Sequence, residues 1–266
     1  MTSTTPVLDA RGLTKAFDGN TVLHGVDLQV RDGELVSVMG PSGSGKSTLL
    51  YTLSGMDTIT AGSIFFAGQD LGALTEKQLA RLRLTTVGFV FQHVHLLKNL
   101  CLLDNVVLPA YLAGLAPRAE LNRRARRLME RTGVADLADR DVSEASGGQL
   151  QRIGICRALI NEPAIVLGDE PTGALDSTAA AEVLDILGEL NAEGTTIVLV
   201  THDPTVAARA GRVLYMVDGR IVGDREQGRY RPADLERRRA DVTAWLSNHD
   251  RRRAAAAAPV PVGSAV

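Results

Sequence analysis

Two glycine-rich turns stand far apart in this chain, "GPSGSGKST" at residues 40–48 and "EASGGQLQR" at residues 144–152. The first matches the pattern GxxxxGK[ST] in full, after the apolar run "ELVSVMG" and before "STLLYTLSG", whose apolar residues recur at helical spacing. That context suits phosphate binding. Gly40, Gly43 and Gly45 let the backbone wrap phosphate oxygens with its N–H groups, and Pro41, Ser42, Ser44 and Thr48 complete the loop. The helix that follows points its positive end at the same place. Lys46 is predicted to reach the β- and γ-phosphates of ATP, and the Ser47 hydroxyl to ligate Mg²⁺. A second requirement is met by "AIVLGDE", an apolar strand ending in two carboxylates. Asp169 would hold Mg²⁺ through its hydration shell, and Glu170 would orient and deprotonate an attacking water. General-base help of this kind contributes roughly 10² to 10⁴ in rate. An Asp-Glu pair at a strand end is by itself more often a loop cap; the phosphate loop and the following "PTGALD" point to chemistry.

The second turn poses a puzzle. Ser146, Gly147 and Gly148 precede "QLQRIGICRALI", so they open another helix and present another set of free N–H groups. The nucleotide of this chain is already enclosed by residues 40–48. The economical reading is that the turn faces the γ-phosphate held by a second copy, with two ATP molecules shared across an isologous dimer.

These motifs need elements to position them. Residues 7–38 read as short strands, "VLDARGLTKAF" and "TVLHGVDLQV" being separated by the hairpin signal Asp18-Gly19-Asn20. Gly55 is a plausible stop for the helix after the phosphate loop. From about 93 to 160 the pattern becomes helical, with Leu121, Ala125, Leu128 and Met129 on one side of an Arg-rich amphipathic helix. Strand-like runs return at 164–169 and 195–201 with a helix between them, which predicts an α/β fold with a parallel sheet and right-handed crossovers. "RVLYMVDGRIVG" reads as a closing hairpin around Asp218-Gly219. Residues 229–250 are predicted to form a helix whose face of Leu235, Val242, Trp245 and Leu246 packs on the domain, and residues 251–266 a disordered tail. No internal repeat is found.

Composition narrows the class. The 266 residues are 45% hydrophobic and 23% charged with a net charge of −2, typical of a globular protein and unlike a bulk electrostatic binder of nucleic acid. Cys101 and Cys156 lack CxxC spacing and read as reduced structural thiols. His93 and His95 form an HxH with no completing ligand cluster, so no zinc site is expected. No run approaches the roughly 18 apolar residues of a membrane span, and "MTSTTPVLDA" lacks a secretion signal. The expectation is a chain on the cytoplasmic face of the membrane, held there by a partner.

In family order, these motifs resemble those of the nucleotide-binding subunit of ATP-binding cassette (ABC) transporters, over roughly residues 7–222. The match comprises the phosphate loop, "FVFQ" with Gln92, the signature "ASGGQ" through Gln149, "VLGDEP", "GALD" with Asp176, and "VTHD" with His202. The resemblance implies a P-loop NTPase core, an N-terminal antiparallel β subdomain and an inserted α-helical subdomain at about 93–160, within an ATPase domain at 7–228. It also implies that Phe17 stacks on adenine, that Gln92 senses Mg²⁺ and water and couples to a membrane permease, and that His202 contacts the γ-phosphate. Two departures are mild: Ala145 stands where Leu usually opens the signature, and Gly168 where Ala is common.

"VGFVFQHVHLLKNLCLLDNVVLP" with "GDEPTGALDS" is similar to the branch of lipoprotein-releasing, macrolide-exporting and cell-division ATPases. Members of that branch work on a permease with a large extracytoplasmic domain, by transmitting force. Leu96, Leu97, Leu100, Leu102, Leu103 and Val106 follow Gln92; some must be core, and the others are candidates for an exposed groove where the permease docks. Two other readings remain open. The ATPase could regulate an extracytoplasmic partner, such as a cell-wall hydrolase, without moving cargo. A soluble relative acting on DNA or ribosomes is disfavoured, because no coiled-coil insertion fits between Lys46 and Asp169 and the chain holds one cassette.

Overall fold

The computed structural model describes residues 6–257. Two long strands open it, β1 (Leu8–Phe17) and β2 (Asn20–Val30), joined by a tight turn in which Asp18 and Gly19 both take positive φ. Two positive-φ residues make the turn whose twist suits a hairpin, as the Asp-Gly pair predicts. β4 (Ala61–Phe66) and the short β5 (Gln69–Asp70) complete an antiparallel sheet in the order β2-β1-β4-β5.

The second sheet carries the chemistry. It runs β10-β9-β3-β8-β7-β6, where β3 is Leu35–Met39, β6 Val87–Phe91, β7 Ile165–Asp169, β8 Ile197–Thr201, β9 Arg212–Val217 and β10 Arg220–Glu226. β6, β7, β8, β3 and β9 are parallel, and β10 closes the edge antiparallel to β9. Alternation along β3 divides its side chains between two cores. Val36 and Val38 join the core beneath the antiparallel sheet, while Leu35 and Met39 join the core on the opposite face. Both faces are covered, so β3, β7 and β8 are buried at every position.

Helix α1 (Lys46–Leu53) follows the phosphate loop and stops at Ser54, with Gly55 at φ 67° just beyond. α2 (Glu76–Thr86) starts in a capping box of Thr75 and Gln78. α3 (Leu102–Ala113), α4 (Arg118–Arg131) and α5 (Gly147–Leu159) pack around a third core that includes Leu121, Ala125 and Met129 of α4. α6 (Ser177–Ala192) crosses between β7 and β8, and α7 (Pro204–Arg209) between β8 and β9.

The C-terminal helix differs from its expected bounds. α8 spans Leu235–Ala257: it begins after the Pro232–Asp234 turn and continues past residue 250. Residues 251–257, expected in the tail, are helical because their Arg and Ala residues are strong helix formers and Arg253 pairs with Asp218 at 2.5 Å. The rest of the expected tail, 258–266, lies outside the described residues. Of the predicted docking face, Val242 is fully buried and Trp245 and Leu246 pack on the core of the parallel sheet, while Leu235, at the start of α8, is half-buried outside that core. Among the described residues, no helix is long and apolar enough to cross a membrane.

Candidate nucleotide site

The phosphate loop links the C-terminal end of β3 to the start of α1. It is locked from below by the β9–β10 turn, where Gly219 N–H donates to the Ser44 carbonyl at 3.0 Å. Gly40 is required for space: a Cβ there would lie 2.0 Å from the Met216 carbonyl oxygen. Gly45 caps α1 at φ 95°, a conformation costly for any residue with a side chain. The loop encloses a cavity of about 630 Å³ lined by Val22, Ser42, Gly43, Gly45, Lys46, Ser47, Thr48, Glu170 and His202. Three widely separated motifs therefore meet around one space. Val22 has no motif to announce it; it arrives from β2.

Lys46 Nζ donates to the carbonyls of Gly40 at 2.8 Å and Pro41 at 2.9 Å. Burial lowers its pKa, against the opposing pull of the Glu170 and Asp169 carboxylates. At the tip of β7, Asp169 accepts from Ser47 Oγ at 3.0 Å through Oδ1 and from the Tyr51 phenol at 2.9 Å through Oδ2. Burial first, and the Asp169 hydrogen bond second, push the Tyr51 phenol up to about 12, so it stays a donor. The next residue, Glu170, takes φ 46°, a left-handed conformation rare outside glycine and frequent where strain serves function. His202 Nδ1 lies 2.7 Å from Glu170 Oε1; His202 is 73% exposed and Glu170 18%. With its proton on Nδ1, the imidazole donates to the carboxylate.

Other sequence-predicted residues lie outside this cavity. Phe17, at the end of β1, is 44% exposed, and Lys15 Nζ sits 4.5 Å from its ring centroid. Gln92 follows β6 and lies against the loop after Glu170, so that a Cβ on Gly173 would come 2.9 Å from its Nε2. Asp176 caps α6, accepting from the N–H groups of Thr178 and Ala179. Ser146 caps α5 in a box with Gln149: Ser146 N–H donates to Gln149 Oε1 at 2.8 Å, and Gln149 N–H to Ser146 Oγ at 3.3 Å. Neither Ser146, Gly147 nor Gly148 lines the phosphate cavity.

The donor set fits a nucleotide with a hard divalent cation. Lys46, Ser47 and Glu170 line the cavity, the buried Asp169 accepts from the Ser47 hydroxyl, and among the described residues the buried Ser44 hydroxyl of the loop has no partner. Comparisons agree with that geometry. Residues 23–173 match the sequence profile of the ABC transporter family. The chain belongs to that family. It is 48% identical over 227 residues to the macrolide export ATP-binding/permease protein MacB 1/2 of Paracoccus denitrificans, covering 84% of this chain and 34% of the relative. Against the pyoverdine export ATP-binding/permease protein PvdT of Pseudomonas syringae pv. syringae it is 45% identical over 228 residues, covering 84% and 35%. The chain thus spans about a third of the length of these curated relatives. Among solved structures, the dimeric bacterial ABC transporter cassette MJ0796 superposes with a TM-score of 0.77 at 35% identity, covering 84% of this chain and all of that one. A post-hydrolysis dimer of the same cassette with ADP and Pi superposes equally well.

Within this ABC cassette, both departures find compensation. A Cβ on Gly168 would meet Leu199 Cδ2 at 2.7 Å, so the neighbouring leucine fills the space of the missing methyl. Ala145 is half-buried against the helical core and leaves the Ser146 cap intact.

The leucines after Gln92 form no shared exposed face. Leu102, Leu103 and Val106 are core, Leu96 and Leu100 are half-buried, and Leu97 is 47% exposed. The apolar cleft near Gln92, about 440 Å³, is lined by Met56, Phe89, Phe91, His95 and Pro109, with Arg83 and Arg157 at its polar side. Leu102 and Leu103 of α3 turn inward onto the helical core, while Leu112 is exposed; α3 gives the cleft Pro109, and the cleft's aromatic wall, Phe89 and Phe91, comes from β6.

Proposed function

We propose that this cassette hydrolyses ATP as one half of an ATP-bridged dimer and drives a membrane permease from the cytoplasmic face. One observation carries the reading. Lys46, Ser47, Glu170 and His202 converge on one cavity, while the capped Ser146 turn lies outside it, leaving the N–H groups of Gly147 and Gly148 to serve a second copy.

Each group then has a part. The loop N–H groups and Lys46 hold the β- and γ-phosphates. Ser47 and Asp169, with Gln92, hold Mg²⁺, which neutralises charge on the triphosphate when bound. Glu170 accepts a proton from a water whose oxygen attacks the γ-phosphorus, and the bond to the bridging oxygen breaks to leave ADP and phosphate. His202, at 2.7 Å, keeps the Glu170 carboxylate aimed and contacts the γ-phosphate. Phe17 stacks on adenine, and Gln149 and Asp176 belong to the face shared between the copies.

The relatives' names as export proteins support cargo movement over mechanical regulation of an extracytoplasmic partner. Their description as ATP-binding/permease proteins supports a permease as the driven unit, and the family branch a permease with a large extracytoplasmic domain. The apolar cleft beside Gln92 is where that permease docks.

Substituting Glu170→Gln tests the core of this proposal. ATP affinity should stay close to wild type, turnover should fall by about 10² or more, and ATP-loaded dimer should accumulate in size-exclusion chromatography. Wild-type turnover would remove Glu170 from the role of base.

A further inference from the structure

Tyr51 belongs to none of the nucleotide motifs, yet it touches the metal-binding pair directly. It lies one turn beyond Ser47 on the same side of α1, the spacing at which helix residues stand one above the other. The two hydroxyls divide Asp169 between them: Ser47 Oγ donates to Oδ1 at 3.0 Å, and the Tyr51 phenol to Oδ2 at 2.9 Å. Asp169 is 9% exposed, so a loosened carboxylate would find little water to replace either donor.

The ring carrying this phenol is itself held. Its centroid is 5.8 Å from that of Phe89, which stacks on Phe91 at 4.2 Å. Both phenylalanines belong to β6, and Phe91 stands in register beside Asp169 of β7. The strand that flanks the carboxylate therefore also props the ring that grips it.

We infer that Tyr51 is a positioning residue for the nucleotide's divalent cation: its phenol pins Asp169 Oδ2, keeping the carboxylate in one orientation when Ser47 turns to the metal. This rests on the reading of Asp169 as a metal-binding carboxylate. Hydrogen-bond partners behind a metal ligand commonly contribute 10- to 100-fold to metal affinity, because a ligand free to rotate must be ordered on binding. Tyr51→Phe keeps the ring against Phe89 and removes only the donor.

The test uses the full chain loaded with a non-hydrolysable ATP analogue, free of other divalent ions. Mn²⁺ is titrated in, and the free ion is read by electron paramagnetic resonance. Tyr51→Phe should weaken Mn²⁺ binding about tenfold, with metal-free analogue affinity within twofold of wild type and a cooperative thermal transition retained. A merely structural tyrosine would disturb the last two readouts instead. Asp169→Asn is run alongside and should weaken Mn²⁺ at least as much. If Tyr51→Phe binds Mn²⁺ within twofold of wild type while Asp169→Asn does not, the role of Tyr51 is overturned and the metal reading stands. If Asp169→Asn also binds normally, both fall.

Discussion

His202 and Glu170 reach each other from the ends of adjacent parallel strands, β8 and β7, and each depends on the other for orientation. Glu170 is strained at φ 46°, and its carboxylate is one-fifth exposed at most, so the imidazole is its main fixed partner. Removing that partner leaves the base present but poorly aimed. His202→Ala should lower kcat about a hundredfold, with KM for ATP within a few-fold of wild type because the loop and Lys46 keep the phosphates. A steady-state ATPase assay checks it; a kcat within threefold of wild type would show that Glu170 needs no imidazole. His202, Glu170 and Lys46 were legible because each sits in a contiguous motif. Tyr51 was not: an aromatic at helical apolar spacing reads as core, and only its tertiary neighbour shows that its hydroxyl has work to do.

α8 is fastened at both ends by contacts of different character. Near its start, Arg238 is 4% exposed, and its guanidinium donates to five backbone carbonyls, those of Ala208, Ala210, Gln227, Gly228 and Arg229. Burial lowers its pKa, against the opposing pull of Asp234; its hydrogen-bond compensation is these carbonyls, those of Ala208 and Ala210 lying at the end of α7. Near the other end, Tyr215 donates to Asp250 at 2.5 Å, and burial pushes that phenol up to about 12. Arg238→Met keeps most of the stem and strands several carbonyls, a loss of about 3 kcal/mol. For a chain of this size that corresponds to a melting temperature lower by about 6 to 12 °C in calorimetry. A shift under about 2 °C would mean that water replaces the guanidinium freely. The apolar face of α8 was readable from its spacing, whereas nothing in the residues beside Arg238 sets it apart from the other arginines of the helix. Its five acceptors come from segments that only folding brings beside it.

Across the whole molecule, the two glycine turns lie on different surfaces, the first lining the cavity and the second outside it. A Cβ on Gly148 would stand 2.8 Å from Ala179 Cβ, so α5 and α6 meet closely beneath the Ser146 turn and fix the way it faces. A bulky cation at that turn should block a second copy without touching the phosphate loop of its own chain. In a Glu170→Gln background, adding Ser146→Arg should abolish the ATP-dependent dimer in sedimentation velocity while each monomer binds ATP within about threefold of the parent. Persistence of the dimer would mean that the signature turn is not part of the contact.

Contiguity separates what this sequence determined by itself from what the tertiary structure decided. Phosphate loop, strand-end carboxylates and helix-opening turn are each set by neighbours a few residues apart, where backbone geometry ties spacing directly to shape. The crossover from β7 through α6 to β8 and the Asp-Gly hairpins follow from equally local patterns. The tertiary structure decided which oxygen of Asp169 the Tyr51 phenol holds, that Leu199 fills the gap at Gly168, and that Phe89 and Phe91 rather than the leucines of α3 line the cleft near Gln92. Each depends on side chains from distant segments filling one dense interior, where who touches whom is set by volume and register, which no short stretch of sequence carries.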